Sequence, residues 1–474
     1  KVGTNIALLN GMMNVIISEN LQNKDFIEER CENYSGLVSV TEIYTPEYTE
    51  KITGVPAKDI INAARLYAGS KNSTIIFSMG ITQHTTGTEN VFSVSNLAML
   101  CGMIGRENTG INPLRGQNNV QGACDMGGLP NVYPGYQNVE NNENRRKFEK
   151  AWNSSLSDKT GLTASEMIDS AEKGHLKALY IIGENPVVSE PDSSHTEKAL
   201  KNLDFLIVQD IFMTETAELA DVILPASSFA EKNGTFTNTE RRVQYVQKAI
   251  KPVRGTMEDW KILLLLMNKM GYRQNFSSTE EIMDEIAALT PQYGGITHKR
   301  ILERGLGLQW PCPEKNHEGT PYLHKNTFSR GKGKFIPAAH RFPAEVPDNE
   351  YPVILTTGRI LYQYHTMTMT GKNSGLMKTA GEIYMEIHPE LAENLLLKQG
   401  ETVKVSSRRG SIKVKAKITN KINKNTVFIP FHFAGGANIL TNNALDHFAK
   451  EPELKACTVK IEKLYLDADC TEAR

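Results

Sequence analysis

An α/β fold closed by a C-terminal β-barrel is what three features of the 474-residue sequence predict. Up to about position 290, short apolar runs with polar, Gly- or Asp-bearing tips alternate with helical stretches, the pattern of doubly wound, mostly parallel sheets. From Tyr351 onward the texture changes to short strands, several with period-two alternation, which reads as a β-rich domain closed into a barrel. At roughly 150 residues per domain, the length accommodates about three domains with well-buried cores.

The elements follow in order. Residues 6–17 are apolar with helical spacing. Residues 72–80 (NSTIIFSMG) form an apolar, β-branched run ending in glycine, expected to be a buried parallel strand feeding a loop at its C-terminal edge. A helix is expected over 90–104, where Val91, Val94, Leu97, Ala98, Cys101 and Ile104 share a face and Gly105 follows as a stop. The strand pattern recurs at 176–183 (LKALYIIG), 203–208 (LDFLIV) and 221–225 (DVILP), with helical periodicity at 215–220. Sheets of this kind bind ligands beyond the carboxyl ends of their strands. Barrel strands are read in PVILTTG, TVKVSS, SIKVKAKIT, NTVFIPFHF and CTVKIEKL, and residues 294–342, rich in Gly, Pro, Lys and His, as an extended connection over the surface. The domain division expected is 1–117 and 118–290 for two α/β domains, 291–345 for the connection and 346–474 for the barrel.

Composition narrows the function. With 53 Lys+Arg against 54 Asp+Glu, the chain has no charge excess of the kind that binds nucleic acid. Its apolar runs, such as 262–267, fall far short of the roughly 20 residues that span a bilayer, so no membrane insertion and a cytoplasmic location are expected. The six cysteines (Cys31, Cys101, Cys124, Cys312, Cys457 and Cys470) contain no C-x-x-C pair, so a zinc site, a cluster or a disulfide framework is not expected.

Chemistry concentrates in residues 112–130, NPLRGQNNVQGACDMGGLP. Its glycines permit close backbone approach, while Gln117, Asn118, Asn119 and Gln121 offer both donors and acceptors, so the segment suits wrapping a polar heterocycle, and an ordinary helix or strand is not expected there. This stretch resembles the signature of formate dehydrogenase catalytic subunits among the bis-molybdopterin guanine dinucleotide enzymes. The likeness continues in the family's order through MGITQHTTG (79–87), GENP (183–186), QDIFMTETAELADVILP (209–225), NGTFTNTERRVQ (233–244) and TTGR (356–359).

The resemblance implies two pterin guanine dinucleotides gripping one molybdenum or tungsten ion, an α/β domain for each nucleotide and a barrel closing over them. It places cofactor contacts at Gly80 and Gln83, at Gly116, Gln117 and Asn118, and at Gly183, Glu184 and Asn185. Further contacts are implied at Gln209, Asp210, Thr214 and Asp221, at Gly234 and Asn238, at Gly358, Arg359, His365 and Thr366, and at Asn438, Asn442, Glu453 and Lys455. Backbone N–H groups after strands favour pyrophosphate, which makes the tips near Gly80, Gly183 and Val208 natural phosphate and guanosine sites. Asp210 is suited to accept from guanine N–H groups, with helix capping through its neighbours as its other reading.

Arg115 stands at the family's substrate arginine, where a planar guanidinium would hold formate in two hydrogen bonds while it is oxidised to carbon dioxide. The family's metal-ligating Cys or selenocysteine, followed by His, and its four cluster cysteines have no counterpart here: none of the eleven histidines follows a Cys. No metal ligand is therefore expected within the chain, which is read as a portion that is inactive alone, paired with a missing N-terminal segment and an electron-transfer subunit. Two other readings remain: a different bis-pterin oxidoreductase such as a nitrate reductase, and a non-catalytic structural subunit of a redox complex.

Overall fold

The computed structural model describes residues 1–464, so Cys470 lies outside the described residues. The amino-terminal half builds on helix α1 (Asn5–Ser18), whose face of Met13, Val15 and Ile16 is buried. Strand β1 (Thr74–Phe77) leads through a short helical turn to helix α2 (Gly87–Leu100), and β2 (Gly110–Pro113) returns parallel to β1 with Ile75 opposite Ile111. Helix α2 is shorter than its apolar spacing suggests: it stops at Leu100, because Gly102 at φ +63° takes the left-handed turn before Gly105 is reached. The strand expected to be fully buried is covered on one face only. Ile75 packs on the α1/α2 core, whereas Ile76 is 61% exposed, as a two-stranded sheet leaves one side open.

The signature segment divides between elements. Its first residues complete β2, its middle is loop, and Val120–Asp125 form the short helix α3, entered through Asn119 in the left-handed region at φ +62°. Side-chain geometry explains this: Asn tolerates that conformation, and its Oδ1 accepts the Thr237 N–H at 2.9 Å.

A second parallel sheet orders β3 (Ala178–Ile182), β4 (Phe205–Asp210) and β5 (Val222–Pro225) side by side. Ile181, Leu206 and Val208 form its core with Ala199 and Leu200 of the following helix. The helical periodicity at 215–220 is a single 3-10 turn, Ala217–Leu219. Strands β6 (Gly234–Thr237) and β7 (Arg242–Val246) make an antiparallel hairpin, and β8 (Leu308–Gln309) adds to β7. That hairpin corrects the reading of 294–342 as surface connection. Ile296, Ile301, Leu308 and Cys312 are buried against Val243, and Phe335 is buried in the core under α2, so the segment fills two cores.

The C-terminal region closes as a six-stranded barrel. Its strands are β9 (Val353–Gly358), β10 (Tyr384–Ile387), β11 (Thr402–Ser406), β12 (Ser411–Ile418), β13 (Thr426–Pro430) and β14 (Cys457–Lys463), arranged β9-β13-β10-β12-β11-β14, with β14 returning to β9. Alternation is complete in β12, where Ile412, Val414 and Ala416 point inward between exposed lysines. Strand β10 escaped the sequence reading because it has only four residues, too short a run for its alternation to register.

Candidate active site

Strand tips from both α/β sheets and the rim of the barrel meet at a cavity of about 520 Å³. Gly80 and Gln83 beyond β1, Gln117 of the signature loop, Glu184 beyond β3, and Arg359, His365 and Lys455 of the barrel all line it. Sequence-predicted residues distant in the chain are therefore brought together. Arg359 ties the barrel to the loop, its Nη1 donating to the Gly116 carbonyl at 2.8 Å, and a side chain on Gly116 would collide with that guanidinium. Lys455 Nζ donates to the Thr357 carbonyl at 2.8 Å, and burial with the nearby Arg359 charge pulls its pKa down to about 8.

Two wall residues were not anticipated. Glu190 and Glu451 share the cavity with Glu184. Burial, then repulsion by Glu184 and Glu451, pushes the Glu190 carboxyl up to about 8. Glu184 is open to solvent at the cavity mouth, yet the concave wall around it is enough to raise its carboxyl above the usual range. Glu451 is raised too, by burial, and accepts from Gln83 Nε2 at 3.0 Å. Only proximity of Glu451 to the predicted Glu453 could have flagged it, and nothing local singles out Glu190. The His365 imidazole is pushed down to about 4 by burial first and then by Arg359 and His432, so it stands neutral in the wall.

A second cleft of about 260 Å³ adjoins at Gln117, lined by Arg115, Gly116, Asn118 and Asn238. Arg115 Nε donates to Gln121 Oε1 at 3.0 Å, and its backbone N–H donates to Thr239 Oγ1 at 3.2 Å. Its two Nη groups make no hydrogen bond to protein among the described residues, and neither do the side-chain amides of Gln117 and Asn118. Gln121, read as a ligand donor, is instead buried and committed to Arg115, Asp125 and Tyr136.

Other predicted contacts are spent on the fold. The Asn185 amide is buried, donating to Glu215 and accepting from the Thr216 N–H and hydroxyl. Gln209, fully buried, donates to Asp259 at 2.6 Å and accepts from Tyr180. Thr214 caps the 3-10 turn at Ala217, and Asp221 receives the Leu206 N–H at 2.7 Å at the amino ends of the strands, opposite the tips. Asn438 donates to the Val188 and Ser189 carbonyls, Asn442 to Ala456, and both Glu453 oxygens are taken by Thr85 and Ala344. Asn438 and Glu453 weld the barrel to its neighbours and Asn442 ties the loop before β14 to itself, which is why polar residues recur there without facing the cavity.

Four predicted residues neither line the cavity nor bond across it: Gly183 at φ +65°, Gly234, Gly358 and Thr366, the last paired with Thr368 at 3.1 Å. Asn238 lines the cleft, but its Oδ1 is used by the N–H groups of Glu240 and Arg242 in the β6–β7 turn. Asp210 Oδ1 accepts from the N–H groups of Ile211 and Phe212 in a bend that opens no helix, while Oδ2 makes no bond to protein among the described residues. The helices after Ser78 and Asn185 have four residues each, too short to add a macrodipole to the backbone N–H groups at those tips.

Among the described residues no three His, Cys, Asp or Glu side chains are grouped to hold a metal ion, and no helix is long and apolar enough to cross a membrane. The thiols of Cys101 and Cys457 are each pushed up to about 12, chiefly by burial.

Comparison with known proteins accords with this geometry. Residues 1–269 match the molybdopterin oxidoreductase family, and residues 353–458 the molydopterin dinucleotide binding domain. The formate dehydrogenase subunit alpha of Methanocaldococcus jannaschii is 53% identical over 98% of this chain and 69% of its own length. Formate dehydrogenase 1 subunit alpha of Methanococcus maripaludis is 50% identical over 98% of this chain and 68% of its own. Formate dehydrogenase H of Escherichia coli is 41% identical over 98% and 66%. Among solved structures, acetylene hydratase from Pelobacter acetylenicus shares the fold, with a TM-score of 0.74 at 19% identity over 98% of this chain and 71% of that one.

Proposed function

Because the chain belongs to the molybdopterin oxidoreductases and, among them, to the formate dehydrogenase alpha subunits, we propose that the complete enzyme of which it is part oxidises formate at the junction of the two cavities, with Arg115 holding the substrate. The chain is the cofactor-binding portion of such an enzyme, with a molybdopterin dinucleotide as its cofactor.

The larger cavity fits such a group chemically. Arg359 and Lys455 supply cations for a pyrophosphate, and carboxyls held protonated or poised, as at Glu190, can both donate to and accept from a pterin or guanine edge. When bound, the metal and its pterins supply the acceptor for the two electrons released as formate becomes carbon dioxide and a proton. Around that chemistry the chain binds and orients. The unpaired Nη groups of Arg115 match the two oxygens of a carboxylate, Gln117 stands between cleft and cavity with its amide unspent, and His365 is a neutral wall group.

We place the metal ligand and any iron-sulfur cluster outside these residues, since the described thiols are scattered and those of Cys101 and Cys457 are held protonated by burial. Two dinucleotides, molybdenum or tungsten, and an electron-transfer subunit belong to the same proposal. So does the division at 117, 290 and 345, with the middle segment recast as a core-filling insert.

The observation that carries this reading is the Arg115 fork: pinned at Nε, open at both Nη. In the complete metal-loaded enzyme, Arg115→Ala should lower kcat/KM for formate by roughly two to three orders of magnitude, the scale of losing a bidentate charged contact. Retained formate turnover, or loss confined to nitrate turnover, would refute it.

A further inference from the structure

Behind the cleft lies a buried carboxylate to which the sequence assigned no role. Asp125 is 1% exposed and accepts four hydrogen bonds, from Gln121 Nε2 at 2.7 Å and Tyr136 OH at 2.8 Å on Oδ1, and from Tyr293 OH at 2.6 Å and Trp310 Nε1 at 2.7 Å on Oδ2. These fill the roughly four lone-pair positions of a carboxylate, and every donor is neutral. We propose that Asp125 is a positioning residue for Arg115, acting through the Gln121 amide; the proposal rests on Arg115 as the formate-holding group.

The geometry permits one arrangement of the relay. An ionised carboxylate only accepts, so Gln121 must turn its NH2 toward Asp125 and its Oε1 toward Arg115, where Nε donates at 3.0 Å. The reversed amide would set oxygen against oxygen on one side and N–H against N–H on the other. With Nε fixed, the planar guanidinium cannot rotate freely, and its Nη pair stays turned to the cleft.

A buried charge caged by neutral groups is costly unless a cation is near. Two guanidiniums answer it. Asp125 acts through space on Arg241, but the Nη1 of Arg241 is spent on the Trp310 and Thr320 carbonyls. Arg115 is reached through one amide and keeps its fork open. Tyr293 and Trp310 come from the segment that the sequence reading took for surface connection, so that segment reaches the cleft by way of Asp125. Burial and the Asp125 charge push the phenols of Tyr136 and Tyr293 up, which keeps both as donors.

The test is Asp125→Asn in the complete metal-loaded enzyme. The new NH2 must face Gln121 or the ring donors; facing Gln121, it flips that amide and turns N–H against the Arg115 Nε–H. Formate KM should rise roughly ten- to a hundred-fold with kcat less affected, as a misaligned orienting group does. The double variant Gln121→Glu with Asp125→Asn keeps one negative charge in the relay, now accepting both from Arg115 and from the amide introduced at position 125, and should bring KM back toward wild type. A readout apart from turnover is modification of Arg115 by phenylglyoxal, scored by mass spectrometry: acetate should protect it in the wild type and not in Asp125→Asn.

An unchanged KM and intact acetate protection in Asp125→Asn overturn the proposal, as does a double variant no better than the single one with melting temperature and cofactor content preserved in both. If Asp125→Asn fails to fold, Gln121→Met breaks the relay while sparing the carboxylate, and an unaltered KM there overturns it equally. Arg115→Ala separates the levels: if it leaves formate KM untouched, the substrate reading itself falls, whereas a raised KM in Arg115→Ala beside a normal one in Asp125→Asn sinks only the positioning role.

Discussion

Two strand tips look alike in sequence and differ in what they leave unspent. The loop after β2 and the tip of β4 are both polar and both follow parallel strands, yet Arg115, Gln117 and Asn118 keep donors open to the cleft. At β4, the Gln209 amide donates to Asp259 and the Thr214 hydroxyl oxygen accepts from the Ala217 N–H, and the adjoining β3 tip commits the Asn185 amide to Glu215. Polar residues beyond a strand therefore mark a binding site only where the fold does not need them for itself.

That contrast can be broken by experiment. The largest effect should come from the open side: Arg359→Ala with Lys455→Ala removes two of the cations lining the cavity, and the retained pterin, measured after gel filtration, should fall by about tenfold or more. Full retention would remove the cavity from the cofactor path. On the consumed side, Asn185→Ala orphans the Thr216 N–H and should destabilise the chain by about 2 kcal/mol in denaturant melts while leaving formate KM unchanged. A KM effect without destabilisation would return Asn185 to the binding surface.

A smaller, pH-dependent effect belongs to Glu190. Its folded pKa of about 8 lies above the ordinary 4.5, so the folded chain binds more protons there than the unfolded one. It therefore subtracts stability as pH rises through that interval. Glu190→Gln should raise the unfolding free energy from denaturant melts at pH 8 by on the order of 1 kcal/mol after solvent screening, and change nothing at pH 4. Equal shifts at both pH values would deny the raised carboxyl.

Legibility in the sequence tracked locality. Strands β3, β4 and β5 and five of the six barrel strands follow from alternation and turn residues, because a few neighbouring side chains decide them. Asn442, Glu453 and Asp221 could not be sorted from true cavity residues, since what decides their role is a backbone partner such as Ala456, Ala344 or Leu206, two of them far away in the chain or on another strand. The network around Asp125 was invisible for the same reason: Tyr293 and Trp310 arrive from 168 and 185 positions away.

The closing strand β14 follows directly on Lys455, and the backbone N–H of Lys455 already bonds to Gln83 across the cavity. Synthesis runs from the amino end, so this stretch emerges from the ribosome after every other wall of the chamber exists. The wall that carries Glu451 and Lys455 is therefore held from two sides, by Gln83 of the α/β domain and by the strand that closes the barrel.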